Sequence, residues 1–223
     1  MAEERHVSTL RLIAVPALIT LAITVLRLVG ELKHWPAPWF STAAGGGAAV
    51  VGISWLPIIF GLYFALKLAA ANEGPGSYGR AIGFSFLGFF VFVLAGALFG
   101  LSMRHASILT PISLLLMLAA SLGPLFGWPA LGRVLLAYAF AARIPVVIVM
   151  YLAMTGNNGA GWGTHYDAVP PMLASMSLGK RFLMAAVAPQ LTLWIGWTVI
   201  TGAIVGGIVA AIARGKRTVP AAV

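Results

Sequence analysis

The sequence predicts an all-α fold, a polytopic integral membrane helix bundle in which a single transmembrane domain covers residues 1–223. Of the 223 residues, 61% are hydrophobic and only 9% are charged, whereas soluble domains carry about 25% charged residues. The apolar residues also form runs of roughly 20, the length that crosses the hydrocarbon core of a bilayer. These observations exclude a water-soluble globular domain, and the high hydrophobicity excludes an intrinsically disordered chain.

The apolar runs predict about six transmembrane helices, at 8–30, 48–70, 81–103, 107–127, 130–154 and 184–213. The first contains the apolar run Leu12–Leu26, and because no small-residue cleavage site follows it we interpret it as an uncleaved span. Pro111 and Pro124 bracket the fourth, so the alternative is a segment that enters and leaves on one side. The last uncharged run, Phe182–Ala213, is longer than one crossing needs and includes an interfacial piece or a tilted helix.

The basic residues of the chain predict its orientation. The 14 Lys and Arg residues are scattered between apolar runs, which is typical of membrane-flanking charges and not of the clustered basic face that binds nucleic acid. An even number of spans places both termini on one side, and the larger number of basic residues there favours the cytoplasm, in a plasma or inner membrane. The reversed orientation is the alternative.

Two apolar segments share a spacing of Pro, Tyr and Ala. They are Leu56–Leu66 in the second predicted span and Ile144–Met154 in the fifth. Because these two spans would run in opposite directions, the match favours a 3+3 inverted repeat, the organisation of many secondary transporters. The alternative is a chance match between apolar segments.

Glycine pairs at a spacing of four indicate close contacts between helices. Gly96 and Gly100 form one pair, and Gly202 and Gly206 form another. Such pairs can join two copies of a chain, which gives a homo-oligomer as a hypothesis; the alternative is the ordinary frequency of glycine in membrane helices.

Most acidic and histidine residues outside the N-terminal tail fall on one side of the predicted bundle. They are Glu31, His34, His105, His165 and Asp167. Their side chains are of the types that bind transition metals or transfer protons, so the metal hypothesis assigns His34, His105 and His165 as ligands. The absence of cysteine excludes disulfides and thiolate ligands. The alternative is a set of ordinary interfacial polar residues.

The loop between the fifth and sixth spans is rich in glycine and in groups that bind ligands. Its candidate ligand-binding residues are Trp162, His165, Tyr166 and Asp167, because glycine allows close approach of the backbone while these side chains stack and hydrogen-bond. In the first loop, by contrast, Trp35 and Trp39 are typical of the aromatic belt at a membrane interface.

Arg143 is the most informative single residue, because it lies within the fifth span, two residues before Pro145. A charge at that depth faces a partner or a wet cavity. The candidate partners within the chain are Glu31, Asp167, Gln190 and a backbone carbonyl freed by Pro145, and the alternative partners are an anionic ligand or a lipid headgroup. A shorter helix would instead let the side chain extend to the interface.

Three functional classes remain open. The first hypothesis is a permease-like protein that handles a small or amphipathic anionic ligand between the second, fifth and sixth spans, with Arg143 as the counter-charge. The second is a membrane-embedded enzyme or a metal or haem protein that uses the histidine and carboxylate set. The third is a non-catalytic subunit of a membrane complex. The lipid bilayer is the expected partner in all three, and the sequence identifies no cofactor.

Overall fold

The structure is a computed structural model that describes residues 7–46, 49–102 and 108–218. Within these ranges the regular elements are all helical. The α-helices are α1 (Thr9–Leu32), α2 (Leu56–Ala70), α3 (Tyr78–Ser102), α4 (Leu109–Ala120), α5 (Gly123–Gly127), α6 (Pro129–Thr155), α7 (Leu178–Phe182), α8 (Ala188–Leu191) and α9 (Leu193–Thr218). A π-helical turn at Leu183–Val187 joins α7 to α8. The prediction of an all-α fold is confirmed for these residues.

Five segments are long and apolar enough to cross a membrane: α1, α3, α4 with α5, α6, and the interrupted helix Leu178–Gly215. The chain is therefore a multi-pass integral membrane protein. The remaining predicted span contains α2, an apolar helix of 15 residues. At 1.5 Å per residue α2 is about 22 Å long, shorter than the roughly 30 Å hydrocarbon core.

The predicted start of the second span at residue 48 is wrong by several residues, since residues 50–55 form bends and the helix begins at Leu56. Pro57 occupies the first turn of α2, where its missing N–H would have had no helical partner. The segment before it is instead tied to the first loop, because the N–H of Val50 donates to the Pro38 carbonyl at 3.2 Å.

The two segments of the predicted repeat differ in where the proline lies within the helix. Pro57 lies at the start of α2, whereas Pro145 lies inside the 27-residue α6. No repeat is shown among the residues that the structure describes.

The last predicted span, 184–213, is not one regular helix. It is broken into α7, the π-helical turn, α8 and α9, with Thr192 at the break (φ −123°, ψ −73°). Pro189 contributes to the irregularity because it has no N–H to donate. The hydroxyl of Thr192 donates to the Ala188 carbonyl at 2.7 Å and so satisfies one backbone group near the break.

The core of the bundle lies between α1, α2, α6 and α9 and is centred on Tyr138. The Tyr138 ring packs edge-on against Phe60 and Phe64, and its hydroxyl lies 2.8 Å from the Thr20 hydroxyl. Tyr138 is fully buried together with Phe64 and Leu135. This packing fixes α1 and α6 side by side, and these two helices carry the buried arginines described below.

The Gly202 and Gly206 pair is used inside the chain. A Cβ atom added to Gly206 would lie 2.6 Å from the Gly61 carbonyl oxygen of α2, and one added to Gly61 would collide with the backbone of Gly202. The two helices therefore pack backbone to backbone. Since α2 occupies this face of α9, the pair is not free to join a second copy.

Candidate functional site

A cavity of about 640 Å³ lies at the end of the bundle where α1 and α6 terminate. Side chains from α1, α6, the fifth loop (156–177) and the interrupted C-terminal helix line it, including Arg27, Arg143, His165, Tyr166, Gln190 and Trp194. Its volume is within the range of about 300–1,000 Å³ that is usual for small-molecule sites.

The first buried arginine, Arg27, has a carboxylate and two backbone carbonyls as partners. Its Nε donates to Oε1 of Glu31 at 2.8 Å, one helical turn away on α1. Its Nη2 donates to the carbonyls of Gly46 at 2.8 Å and Ser41 at 3.1 Å. Glycine is favoured at these points of the loop, because Gly46 has a φ of +90° and a Cβ there would lie 3.2 Å from Nη2, while a Cβ at Gly52 would lie 3.1 Å from Nη1. The first loop thus folds around the Arg27 guanidinium.

Glu31 connects α1 to the fifth loop. Its side chain is completely buried, and its two oxygens accept the backbone N–H of His165 at 2.8 Å and approach His165 Nδ1 at 2.6 Å. Burying a carboxylate is costly unless it is paired and hydrogen-bonded. Here the Arg27 guanidinium supplies the opposite charge, and the imidazole and its backbone N–H supply further bonds. We call Arg27, Glu31 and His165 the paired cluster.

His165 is held in place by its neighbour Tyr166. The two rings lie 3.9 Å apart, and the Tyr166 hydroxyl donates to the Thr24 carbonyl of α1 at 3.1 Å. Burial lowers the pKa of His165 from its ordinary value and the Arg27 charge lowers it further, while the bond to Glu31 opposes both effects. Burial also raises the pKa of the Tyr166 phenol. Both side chains are therefore neutral near pH 7.

Asp167 stabilises the fifth loop itself. Its carboxylate accepts the backbone N–H groups of Gly163 at 2.9 Å and Thr164 at 2.8 Å, and the Thr164 hydroxyl at 2.6 Å. Trp162 packs over Gly156, where any side chain would collide with the indole. These two residues shape the loop that covers the cavity, and neither lines the cavity.

The second buried arginine, Arg143, has few partners. It lies in α6 and is 4% exposed. Its Nη1 donates to Oε1 of Gln190 at 3.4 Å, and its guanidinium lies 4.8 Å from the centre of the Trp194 ring. Its buried Nε has no hydrogen-bond partner among the described residues, and no carboxylate of those residues forms an ion pair with it. Arg143 thus presents an uncompensated charge to the cavity.

The structure brings together most of the residues predicted from the sequence. Arg143, His165, Tyr166 and Gln190 line the cavity, and Glu31 bonds directly to His165. The predicted contact between Arg143 and Gln190 is present, whereas Glu31 and Asp167 pair elsewhere.

The metal hypothesis gains no support from the geometry. Across residues 7–46, 49–102 and 108–218 no three His, Asp or Glu side chains are grouped as metal ligands. His34 is exposed at the end of α1, in a left-handed conformation with φ 54°. His105 lies outside the described residues.

Arg27 and Trp194 line the cavity and are residues of the candidate site that the sequence reasoning missed. Arg27 had a usable signal, because Glu31 follows it at i+4, the spacing of a helical ion pair. Trp194 had none, since a tryptophan in an apolar helix is ordinarily a packing or interface residue. Only the fold places its ring against Arg143.

Comparison with protein-family models, with curated proteins and with solved structures finds no match for this chain.

Proposed function

We propose that this protein is a permease-like membrane protein that binds a small or amphipathic anion in the 640 Å³ cavity, with Arg143 as the counter-charge. The observation that carries the proposal is the state of Arg143, which is buried at 4% exposure and has an Nε without a hydrogen-bond partner in the described chain. A buried guanidinium without a counter-ion is costly, and an anion in the cavity would remove that cost.

The charges around the cavity favour an anion over a cation. Glu31 bonds to Arg27 and His165, two residues that line the cavity, and these two residues already occupy its oxygens. Of the two arginines that line the cavity, Arg143 is the one whose charge no described carboxylate neutralises. A bidentate guanidinium–carboxylate contact would use its free donors.

The permease-like part of the proposal is supported by the interrupted C-terminal helix. Its π-helical turn and the break at Thr192 lie beside the cavity, and Met184, Pro189 and Gln190 line it. Irregular helices within a membrane are tolerated where they line cavities, and transporters place their substrate sites at such points. The inverted repeat, a homo-oligomer and cytoplasmic termini in a plasma or inner membrane stay predictions and are not required.

The test replaces Arg143 with leucine and measures anion binding. In nanodiscs of phosphatidylcholine, labelled hexanoate should bind the wild-type protein, and Arg143→Leu should weaken binding by about 10–100-fold, the value of a hydrogen bond to a charged group. The affinity for hexanamide, the neutral analogue, should change little in the same variant. Arg133→Leu is the matched control, because Arg133 is an exposed arginine of the same helix.

Transport is measured separately in proteoliposomes with labelled hexanesulfonate, which stays ionised and crosses a bilayer poorly. Wild type and Arg133→Leu should accumulate the anion, and Arg143→Leu should not, while it inserts into the membrane normally. Hexanoate binding that is equal in wild type and Arg143→Leu would overturn the anion site. Binding without flux would overturn the permease-like activity and leave a membrane receptor for the anion.

A further inference from the structure

A second, apolar groove lies directly beside the anion cavity. It has a volume of about 510 Å³ and is lined mainly from α3 and α9, by residues that include Phe92, Gly96 and Trp197. At its outer edge Trp55 and Ile58 are 43% and 47% exposed. Its edge is thus accessible from outside the bundle, on the faces that contact lipid in a membrane helix bundle.

The groove and the cavity share part of their walls. Ser54, Phe99 and Trp194 line both spaces. Trp194 is also the ring against which the Arg143 guanidinium packs at 4.8 Å. A ligand whose charged end is at Arg143 could therefore extend past Trp194 into the groove.

The groove offers an apolar chain good contacts and offers a headgroup almost none. At its margin the Ser54 carbonyl already accepts the indole N–H of Trp197 at 2.8 Å. The remaining lining is aromatic, aliphatic, Met117 and Gly96. A predominantly apolar lining selects hydrocarbon over a polar headgroup.

We infer that the ligand is a single-chain carboxylate amphiphile, with its carboxylate at Arg143 and its alkyl chain in the groove between α3 and α9. This inference rests on the proposed anion site and specifies its substrate class. One unpaired guanidinium matches a single negative charge, whereas a phosphate monoester carries about 1.5 to 2. The opening beside Trp55 and Ile58 provides a route for a ligand dissolved in the bilayer.

The experiment fills the groove without touching the charged end. Gly96→Leu places a side chain in the groove, and its Cβ would meet only Met117 Cε, at an acceptable 3.6 Å. Gly100→Leu is the matched control, because Gly100 lies one turn later on the same helix, is exposed and has nothing within 4 Å of its added Cβ. Labelled dodecanoate and hexanoate are the probes, in phosphatidylcholine nanodiscs.

Dodecanoate should bind Gly96→Leu at least about tenfold more weakly than wild type, because the buried part of the chain is displaced. Hexanoate affinity should be nearly unchanged, which also shows that the variant is folded. Gly100→Leu should match wild type with both probes. Ile58→Trp, which enlarges an exposed side chain at the groove edge, should weaken dodecanoate selectively in the same way.

Failure of this inference is distinguishable from failure of the anion site. If hexanoate and dodecanoate both depend on Arg143, but neither responds to Gly96→Leu and Ile58→Trp, the anion site stands and the chain position is wrong. If dodecyl phosphate binds more tightly than dodecanoate, the carboxylate assignment is wrong. If neither acid depends on Arg143, the proposed function fails first.

Discussion

Two arginines line the same cavity, and the protein treats them differently. Arg27 has the Glu31 carboxylate on the next turn of its own helix and two loop carbonyls around its guanidinium. Arg143, on the neighbouring helix α6, has one long contact to Gln190, an aromatic ring and an unbonded Nε within the described chain. Both side chains are buried, at 8% and 4% exposure. The two arginines therefore differ in how their charges are neutralised and not in how deeply they are buried.

This difference distinguishes a charge that stabilises the fold, on Arg27, from the charge that we propose binds the ligand, on Arg143. The paired cluster joins α1 to loop residues far along the chain, since Glu31 and His165 are 134 positions apart, and its charges are satisfied before any ligand arrives. Arg143 makes few contacts with other parts of the chain and retains N–H donors for a ligand. A charge that the fold leaves uncompensated in a cavity is the stronger indicator of a ligand.

Removing the carboxylate of the paired cluster should produce the largest effect on stability. Glu31→Gln would leave Arg27 as an uncompensated buried charge, and breaking a buried pair in this way costs about 3–5 kcal/mol. The free energy of unfolding, measured by SDS titration in mixed micelles, should fall by that order. Arg143→Leu should cost much less stability, because the polar group it leaves is the neutral amide of Gln190, at 3.4 Å, and not a buried charge.

The double variant Arg27→Met/Glu31→Gln tests the reason for that loss. It removes both charges and should recover much of the stability lost in Glu31→Gln. Asp167→Asn is the comparison within the loop, because Asp167 bonds only to nearby loop groups, and its loss should be smaller. Equal losses in Glu31→Gln and Asp167→Asn would contradict the special role of the paired cluster.

A carboxylate placed beside Arg143, like the one that Arg27 already has, should neutralise its charge and remove the difference between the two arginines. Gln190→Glu places a carboxylate where an amide oxygen now lies 3.4 Å from Nη1. The new carboxylate would compete with an anionic ligand, so hexanoate affinity should fall about 10–100-fold while the ligand-free protein becomes more stable. Gln190→Leu is the control, since it removes the long bond without adding charge and should cost less affinity. Unchanged binding in Gln190→Glu would contradict the anion site.

The sequence predicts the long helices because length and apolarity are local properties. Runs of about 20 apolar residues are visible without tertiary information, and five such segments occur in the structure. The start of α2 and the interruption at Thr192 depend on Pro57 and Pro189 together with the packing around them. A proline indicates that a helix begins or bends nearby, but its neighbours determine which.

The sequence indicates which residues belong to the candidate site, but not which of them bond to one another. Arg143 attracts notice because a charge within an apolar run is costly wherever the chain folds. The contact of Gln190 with Arg143 was one of several candidates, and only the fold selects it. The bonds between Glu31 and His165 depend on how the fifth loop folds back onto α1, which no local pattern encodes. The pair of Arg27 and Glu31 is the exception, because its i+4 spacing is a local signal of a helical ion pair.

The smallest expected effect is a pH dependence confined to the paired cluster. Because burial lowers the pKa of His165 in the folded protein, the unfolded chain binds a proton there at higher pH than the folded chain does. Stability contributed by neutral His165 is therefore complete above the unfolded value of about 6.5 and is lost as pH falls through the folded pKa. Unfolding midpoints measured from pH 7.5 to 5 should decrease.

The surroundings of His165 give this prediction its sign and its control. Glu31 and Asp167 favour the imidazolium, whereas burial and the Arg27 charge oppose it, and neutral Tyr166 stacks on the ring. His165→Gln should flatten the profile over this range, while His34→Gln, at the exposed end of α1, and Arg143→Leu should leave it unchanged. A wild-type protein that became more stable on acidification would show that attraction between the imidazolium and Glu31 outweighs burial. In that case Glu31 would neutralise two cations, the Arg27 guanidinium and the His165 imidazolium. Arg143 would still have no carboxylate partner among the described residues.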